Sequence, residues 1–471
     1  MTSAVVWLAA EPALLPSRIQ MAFTLASHVL LVPLGVGLPA ITLLMEAIGI
    51  YRRDAIALKI ARRWSVVMAV QFAVGAVTGT ILSFEFGILW PRMMGRFGAA
   101  FGLGFAIEGL AFFIEAIFLG IYLYGWNRLP RKPHFFLGLA LLPSALVGAF
   151  GVLAANSWMN TPAGFTLEGG KVTNVDVMQA LFTRALGYEY WHFVIALYMT
   201  AGFVVASVYA VAWLRGRRDH YQRLAFAVPF TIAAILAPMQ LLVGDLSARA
   251  LTEDQPAKFA AIEITWTTRD SNPEVIGGWL DGSGDVHLGI ALPALDSLLV
   301  GYSPNTVVRG LTSFPADSRP TTVEANIAHL AFDVMVGLGS IGAALSVWHL
   351  WLLVRRRRLS ESRWFYRLAA LAGAGSYFAV ECGWITTEVG RQPWIVYNVM
   401  RVSDAVTSAP ASFVWTTLTT LVLVYAVIAF FFVTLLRRLA ARWRREDMGG
   451  PAQADEVGVP YGPRPRALTG G

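Results

Sequence analysis

Six acidic side chains sit inside or at the edge of strongly apolar stretches of this sequence: Glu85, Glu108, Glu115, Asp333, Glu381 and Glu388. A charge at the centre of a bilayer costs roughly 2.5–3.5 kcal/mol on insertion scales, so such residues are functional candidates by default. No lysine or arginine falls near the middle of the same stretches. Structural ion pairs need both signs, whereas protonatable acids facing a water-filled path or a cofactor do not. The plainer alternative is a protonated carboxyl hydrogen-bonded between helices, above all for Glu85 and Glu381. Glu108 and Glu115 are seven residues apart. Two helical turns put them on one face with a rise of about 10.5 Å between them. Such a ladder suits proton relay.

Histidines add a second chemistry. His28, His192, His329 and His349 fall in apolar stretches, and Met335 lies near His329. A lone histidine there is more often packed and hydrogen-bonded than a ligand. His192 and Met335, however, are placed at similar depth, and a His/Met pair is a known axial set for low-spin haem.

The elements that must position these groups follow from composition. The 471 residues are 56% hydrophobic and 14% charged, with a mean hydropathy of +0.57. A soluble domain carries about 25% charged residues. A membrane-crossing helix needs roughly 20 apolar residues. Nine stretches qualify, near 20–50, 64–90, 98–125, 134–154, 191–214, 224–244, 326–354, 365–388 and 411–436. The expected fold is therefore all-α and polytopic, with nine transmembrane helices. Basic clusters follow every odd-numbered span: Arg52 to Arg63, Arg128 to Lys132, Arg215 to Arg223, Arg355 to Arg358 and Arg437 to Arg445. By the positive-inside rule the N-terminus lies outside and the C-terminus inside. The net charge of +7 resides in these clusters, so no nucleic-acid partner is expected. One cysteine, Cys382, excludes a disulfide framework and a thiolate metal site. No cleavable signal peptide is evident. The chain divides into spans 1–6 (1–244), a polar outer segment (245–325), spans 7–9 (326–445) and a tail (446–471) whose Gly, Pro and Ala content reads as disordered.

One string is far more specific than any spacing: Gly383-Trp384-Ile385-Thr386-Thr387-Glu388-Val389-Gly390-Arg391-Gln392-Pro393-Trp394. It resembles the GWxxxExGRQPW signature of cytochrome bd oxidase subunit I. Other segments agree in order: Gln20 to His28 with Val32-Pro33-Leu34, Ala106 to Glu115 with Tyr124-Gly125-Trp126, Lys258 to Glu263, and Phe332 to Gly337. The resemblance covers roughly 18–438.

It implies three haems. His192 and Met335 are then axial ligands of a low-spin haem b. His28 and Glu388 serve a pair of high-spin haems, one b and the other d or a second b, with Glu108 beside them. Arg391 and Trp384 support that pair, and Lys258 and Glu263 belong to a quinol site on the outer segment. The expected enzyme is a quinol:oxygen oxidoreductase of the bacterial cytoplasmic membrane. It takes electrons from quinol outside and draws protons for water from inside past Glu115 and Glu108, without a pump. The implied partners are a second membrane subunit, with small single-helix accessory subunits as further candidates. Asp333 stands where many members have arginine, and the glutamate spacing also looks closer to the cyanide-insensitive branch. The rival from another class is a proton-coupled secondary transporter. No internal repeat between halves supports it, although transporters commonly have one.

Overall fold

Residues 11–447 are described by a computed structural model of the chain. Among them, nine helical spans are long and apolar enough to cross a membrane. The fold is helical, as expected. A helix satisfies its own backbone hydrogen bonds, which is the condition for crossing hydrocarbon. Two compact units are distinguished: one runs to Leu418, and the other starts at Thr419, part-way along the last helix, Ala411–Asp447.

Two spans are broken, and sequence shows why. Span 1 consists of Leu14–Val29 and Val32–Tyr51, with Pro33 in the first turn of the second piece. Proline has no N–H to donate and crowds the preceding turn, so a regular helix stops there. His28 stands just before this break. Span 4 is likewise split into Arg131–Gly138 and Leu141–Asn160, with Pro143 just inside the second piece.

The connections after spans 1, 3, 5 and 7 gather at one end. Asp54 accepts from His220 at 2.7 Å, Trp126 packs in one cluster with Tyr221, and Trp213 stacks on Tyr366 at 3.8 Å. Span starts at this end are capped by Asp54, Asp219 and Ser362, whose side chains accept from first-turn amides. At the other end Thr407 N–H donates to the Leu89 carbonyl and Tyr397 N–H to that of Met159. The basic residues after spans 1, 3, 5 and 7 therefore share one end of the first unit, which is the pattern behind the expected orientation.

Spans 3 and 4 approach closely through glycines. A Cβ on Gly104 would lie 2.6 Å from the Gly151 carbonyl, and one on Gly151 would lie 2.8 Å from the Glu108 amide. Span 4 thus reaches the backbone that carries Glu108.

The segment after span 6 is not a bare loop. The sixth helix continues past Gly244 to Asp254, and a short helix, Pro256–Ile262, follows it directly. Next comes an interrupted hairpin: Glu274–Ile276 pairs with Ile290–Leu292, and Trp279–Leu280 with Val286–His287. Its outer half turns at Gly277 and Gly278, both in left-handed backbone that other residues rarely adopt. One face of span 7 (Thr322–Arg356) holds it. Asn326 accepts from the Leu280 amide at 2.7 Å and donates to its carbonyl at 2.8 Å. His329 bonds the carbonyls of Ile262 and Gly277, and Asp333 accepts from the Gly277 amide at 2.5 Å. Asp333, an acid that sequence places among candidates for a path or cofactor, is thus an anchor for the outer segment. The expected disordered tail lies outside the described residues except at its start: the last helix continues through 446 and 447.

Replacing Gly151 with valine should force spans 3 and 4 apart. Overpacking of this kind typically costs about 1–3 kcal/mol. Thermal unfolding in detergent should show a lowered midpoint, and an unchanged midpoint would mean that the contact is not tight.

Candidate functional site

A cavity of about 340 Å³ opens between spans 1, 2, 3, 4, 5 and 8, lined among others by His28, Glu108, Asn156, Trp384, Glu388 and Arg391. Five of the predicted site residues therefore converge on one space of the size that holds small molecules and cofactors. The ring of His28 is oriented by its Nδ1, 2.9 Å from Thr78 Oγ1. The Thr78 hydroxyl donates to backbone carbonyls of its own helix. Nδ1 is then the donor, which leaves the Nε2 lone pair available as a ligand.

Glu388 and Arg391 sit at the end of span 8 (Arg363–Gly390). Arg391 donates to Glu388 at 2.5 Å and to Asn160 Oδ1 at 2.8 Å. Asn156 donates to the other oxygen of Glu388 at 3.0 Å. Asn160 also donates to Glu189 at 2.7 Å and accepts from Gln255. Arg391 Nε is buried and has no partner among the described residues.

The other two predicted ligands face different helices. His192 lies against span 6, with Gln240 Nε2 3.1–3.2 Å from its ring nitrogens. Met335 lies against span 8. All three predicted His and Met ligands stand over a glycine. An added Cβ would be 3.0 Å from His28 on Gly79, 3.4 Å from His192 on Gly244 and 3.1 Å from Met335 on Gly383. Trp384 packs edge-on to Phe193, the neighbour of His192, at 5.7 Å.

Lys258, on the short helix after span 6, and Glu263, the residue just past its end, enter separate surroundings. Lys258 is buried beside Gly390, and the charges acting on it are Arg391, Glu189 and Glu388. Burial, with Arg391 adding, pushes its ammonium down to about 8 against the pull of the two carboxylates. Glu263 instead faces Glu274 and Asp296, with carboxylate oxygens of the three within 4.8 Å of one another. Burial and these like charges raise Glu263 well above the usual carboxylate range. Glu274 is pushed up to about 7 by burial and by Asp296, and burial moves Asp296 up to about 6.

Glu115 stands two turns along span 3 from Glu108, as expected, and does not line the cavity. Glu85 accepts from Gln20 at 2.7 Å and from Thr24, a satisfied interhelical carboxyl. His349 is packed among Phe226, Phe230 and Phe365 and bonded to Thr231, so it is a core histidine. Sequence reasoning missed Glu189, Asn156, Asn160 and Gln255. Glu189 sits in the first turn of its helix, where an acid is expected for dipole reasons alone, so nothing marked it.

The model of the family described as cytochrome bd terminal oxidase subunit I matches residues 16–443. The chain belongs to that family. A putative cytochrome bd menaquinol oxidase subunit I of Bacillus subtilis (strain 168) is 34% identical over 393 residues, covering 82% of this chain and 87% of the relative. A cytochrome bd ubiquinol oxidase subunit 1 of the same organism is 30% identical, covering 83% and 85%. The solved structure of bd oxidase from Geobacillus thermodenitrificans superposes with a TM-score of 0.85 at 34% identity, over 92% of this chain and 99% of that one. The family of this subunit I implies haem cofactors. The residues present fit that group: an apolar cavity, an oriented imidazole, a carboxylate held by two donors, and a buried guanidinium nitrogen without a partner.

The acid cluster of the outer segment should make it sensitive to pH. Carboxyls raised in the fold keep protons that the unfolded chain has already released. Their stabilisation is present below the unfolded values and is lost as pH rises through about 6 and 7. Limited proteolysis of the segment should accelerate between pH 5.5 and 8, and Glu274→Gln should flatten the dependence. A pH-independent cleavage rate would contradict it.

Proposed function

We propose that this subunit I oxidises quinol at the outer segment and reduces oxygen to water at the 340 Å³ cavity. The observation that carries this reading is the convergence of His28, Glu108, Trp384, Glu388 and Arg391 on that cavity. The names of the relatives, menaquinol and ubiquinol oxidases, support quinol as the substrate class. When bound, haem supplies the redox-active iron that takes electrons from quinol and passes them to oxygen. His192 and Met335 would hold a low-spin haem b. His28 and Glu388 would serve two high-spin haems, one of them b and the other d or a second b.

The chain's own residues do the rest. Thr78 fixes the His28 ring. Asn156 and Arg391 hold the Glu388 carboxylate, and the Nε of Arg391 has no acceptor among the described residues, which suits a propionate. Lys258 presents an ammonium to quinol from the short helix after span 6. Glu263 opens an acidic cluster through which quinol protons leave outward. Glu115 and Glu108 carry protons from the basic, inner end to the cavity. A carboxyl serves such transfer when it can both accept and release a proton at working pH. With quinol protons released on one side and water protons taken from the other, charge separates across the membrane without a pump. The multi-pass chain resides in the bacterial cytoplasmic membrane and works as a heterodimer with subunit II, with small single-helix accessory subunits as further candidates.

A dithionite-reduced minus air-oxidised absorbance spectrum of the complex should show haem b bands, with or without a red-shifted d band. No haem signal from an intact complex would refute the oxidase reading. Glu108→Ala should abolish oxygen reduction and leave reduction of the low-spin haem by quinol intact. Normal turnover in that variant would refute the relay.

A further inference from the structure

The short helix Pro256–Ile262 ends on carbonyls that have no partner inside it. The carbonyl of Ile262 is taken by a ring of span 7, with His329 Nδ1 at 2.7 Å. The other ring nitrogen, Nε2, lies 3.1 Å from the carbonyl of Gly277, the residue that follows strand Glu274–Ile276. Carbonyls only accept, so each contact is a donation by the ring. Both donations need both ring protons, and Asp333 Oδ2, 3.4 Å from Nε2, is the carboxylate within reach. His329 is 1% exposed, so water does not compete for either bond. Each grip lies beside a carboxyl. Glu263 follows Ile262 directly, and Glu274 opens the strand that ends before Gly277. Carboxylate oxygens of Glu263 and Glu274 lie within 4.8 Å of each other. Val275 shares an apolar cluster with Ala260, Ala261 and Ile264, which brings the two segments together. Apolar burial is not directional. The ring supplies the direction, because its two donors point from opposite edges of one rigid plane.

We propose that His329 is a positioning residue for quinol oxidation: by gripping Ile262 and Gly277 at once, it holds the Glu263 and Glu274 carboxyls beside each other, so that a proton taken from quinol by Glu263 passes on to Glu274. The inference rests on the reading of Glu263 as a quinol-site residue. The O–H bond of quinol breaks, its proton goes to a carboxylate oxygen of Glu263 and then to one of Glu274, and its electrons leave toward the low-spin haem. A gap within 4.8 Å is crossed directly or through one water. Asp296 completes the group of acids at the pair, and Asp333 faces it from span 7.

The test uses the complete oxidase complex with His329→Leu, His329→Asn, His329→Gln, Glu263→Gln, Glu274→Gln and the double variant His329→Leu/Glu274→Gln. Quinol kcat and KM, the reduced-minus-oxidised spectrum, and oxygen consumption driven by a small redox mediator are measured. His329→Leu should lower kcat with quinol about tenfold or more, with KM, the spectrum and mediator-driven oxygen consumption little changed. His329→Asn sets an amide near the place of Nδ1 and His329→Gln one near that of Nε2. Each keeps one grip, and each should fall between the parent and His329→Leu. The double variant should be no worse than the poorer of its two single variants, since both remove the same transfer. A kcat within twofold of the parent in every His329 variant that assembles, mediator-driven oxygen consumption that falls in step with quinol activity, or losses that multiply in the double variant overturns the proposal. If Glu263→Gln itself leaves quinol kinetics unchanged, the quinol-site reading of Glu263 falls first. An effect in Glu263→Gln without one in the His329 variants sinks the role of His329 alone.

Discussion

Burying charge where little water is present is the constraint on which this structure turns. Arg391 is 2% exposed and Lys258 3%, and neither can be stranded. Removing one partner of a buried pair is destabilising by about 3–5 kcal/mol, because the other charge is left behind. The fold meets the demand with partners from distant parts of the chain: Asn160 from span 4 and Glu388 from span 8 accept from Arg391, Asn156 from span 4 donates to Glu388, and Glu189 from span 5 accepts from Asn160. Gln255, at the head of the short helix, donates to Asn160. Four segments that share no sequence continuity are pinned together at the end of the cavity, and the haem-site candidates inherit their positions from that junction.

Glycine is the complementary device. Iron ligands must stand clear of their own helix and still be fixed in direction. Gly79, Gly244 and Gly383 each give a predicted ligand on a neighbouring helix a place to rest. Gly104 and Gly151 bring spans 3 and 4 near backbone contact behind Glu108. Polar pinning at one end and glycine seats along the helices fix how closely the spans around the cavity approach one another.

What was legible in the sequence follows from the range of each signal. Hydropathy runs over some twenty residues, so the nine spans were readable, and the GWxxxExGRQPW string located Trp384, Glu388 and Arg391 directly. The breaks in spans 1 and 4 were present as Pro33 and Pro143, although apolar runs pass over them. Pairings between segments were not legible. Lys258 and Glu263 are five residues apart and look like one loop pair, yet a short helix sends them into different surroundings. Asp333 looked like a charge in the membrane because the amide that it binds, that of Gly277, is far away in sequence. Glu189 looked like an ordinary acid of a first helical turn.

The attachment of the outer segment to span 7 divides that segment into a fixed part and a free one. Asn326, His329 and Asp333 grip it at Leu280, Gly277 and Ile262, while the turn from Asp281 to Asp285 is closed by its own Asp281 side chain and touches none of those anchors. Length added at that turn would lengthen a tether whose ends are already tied. The position is therefore suited to carrying an epitope tag or a fluorophore without disturbing the anchored part of the segment.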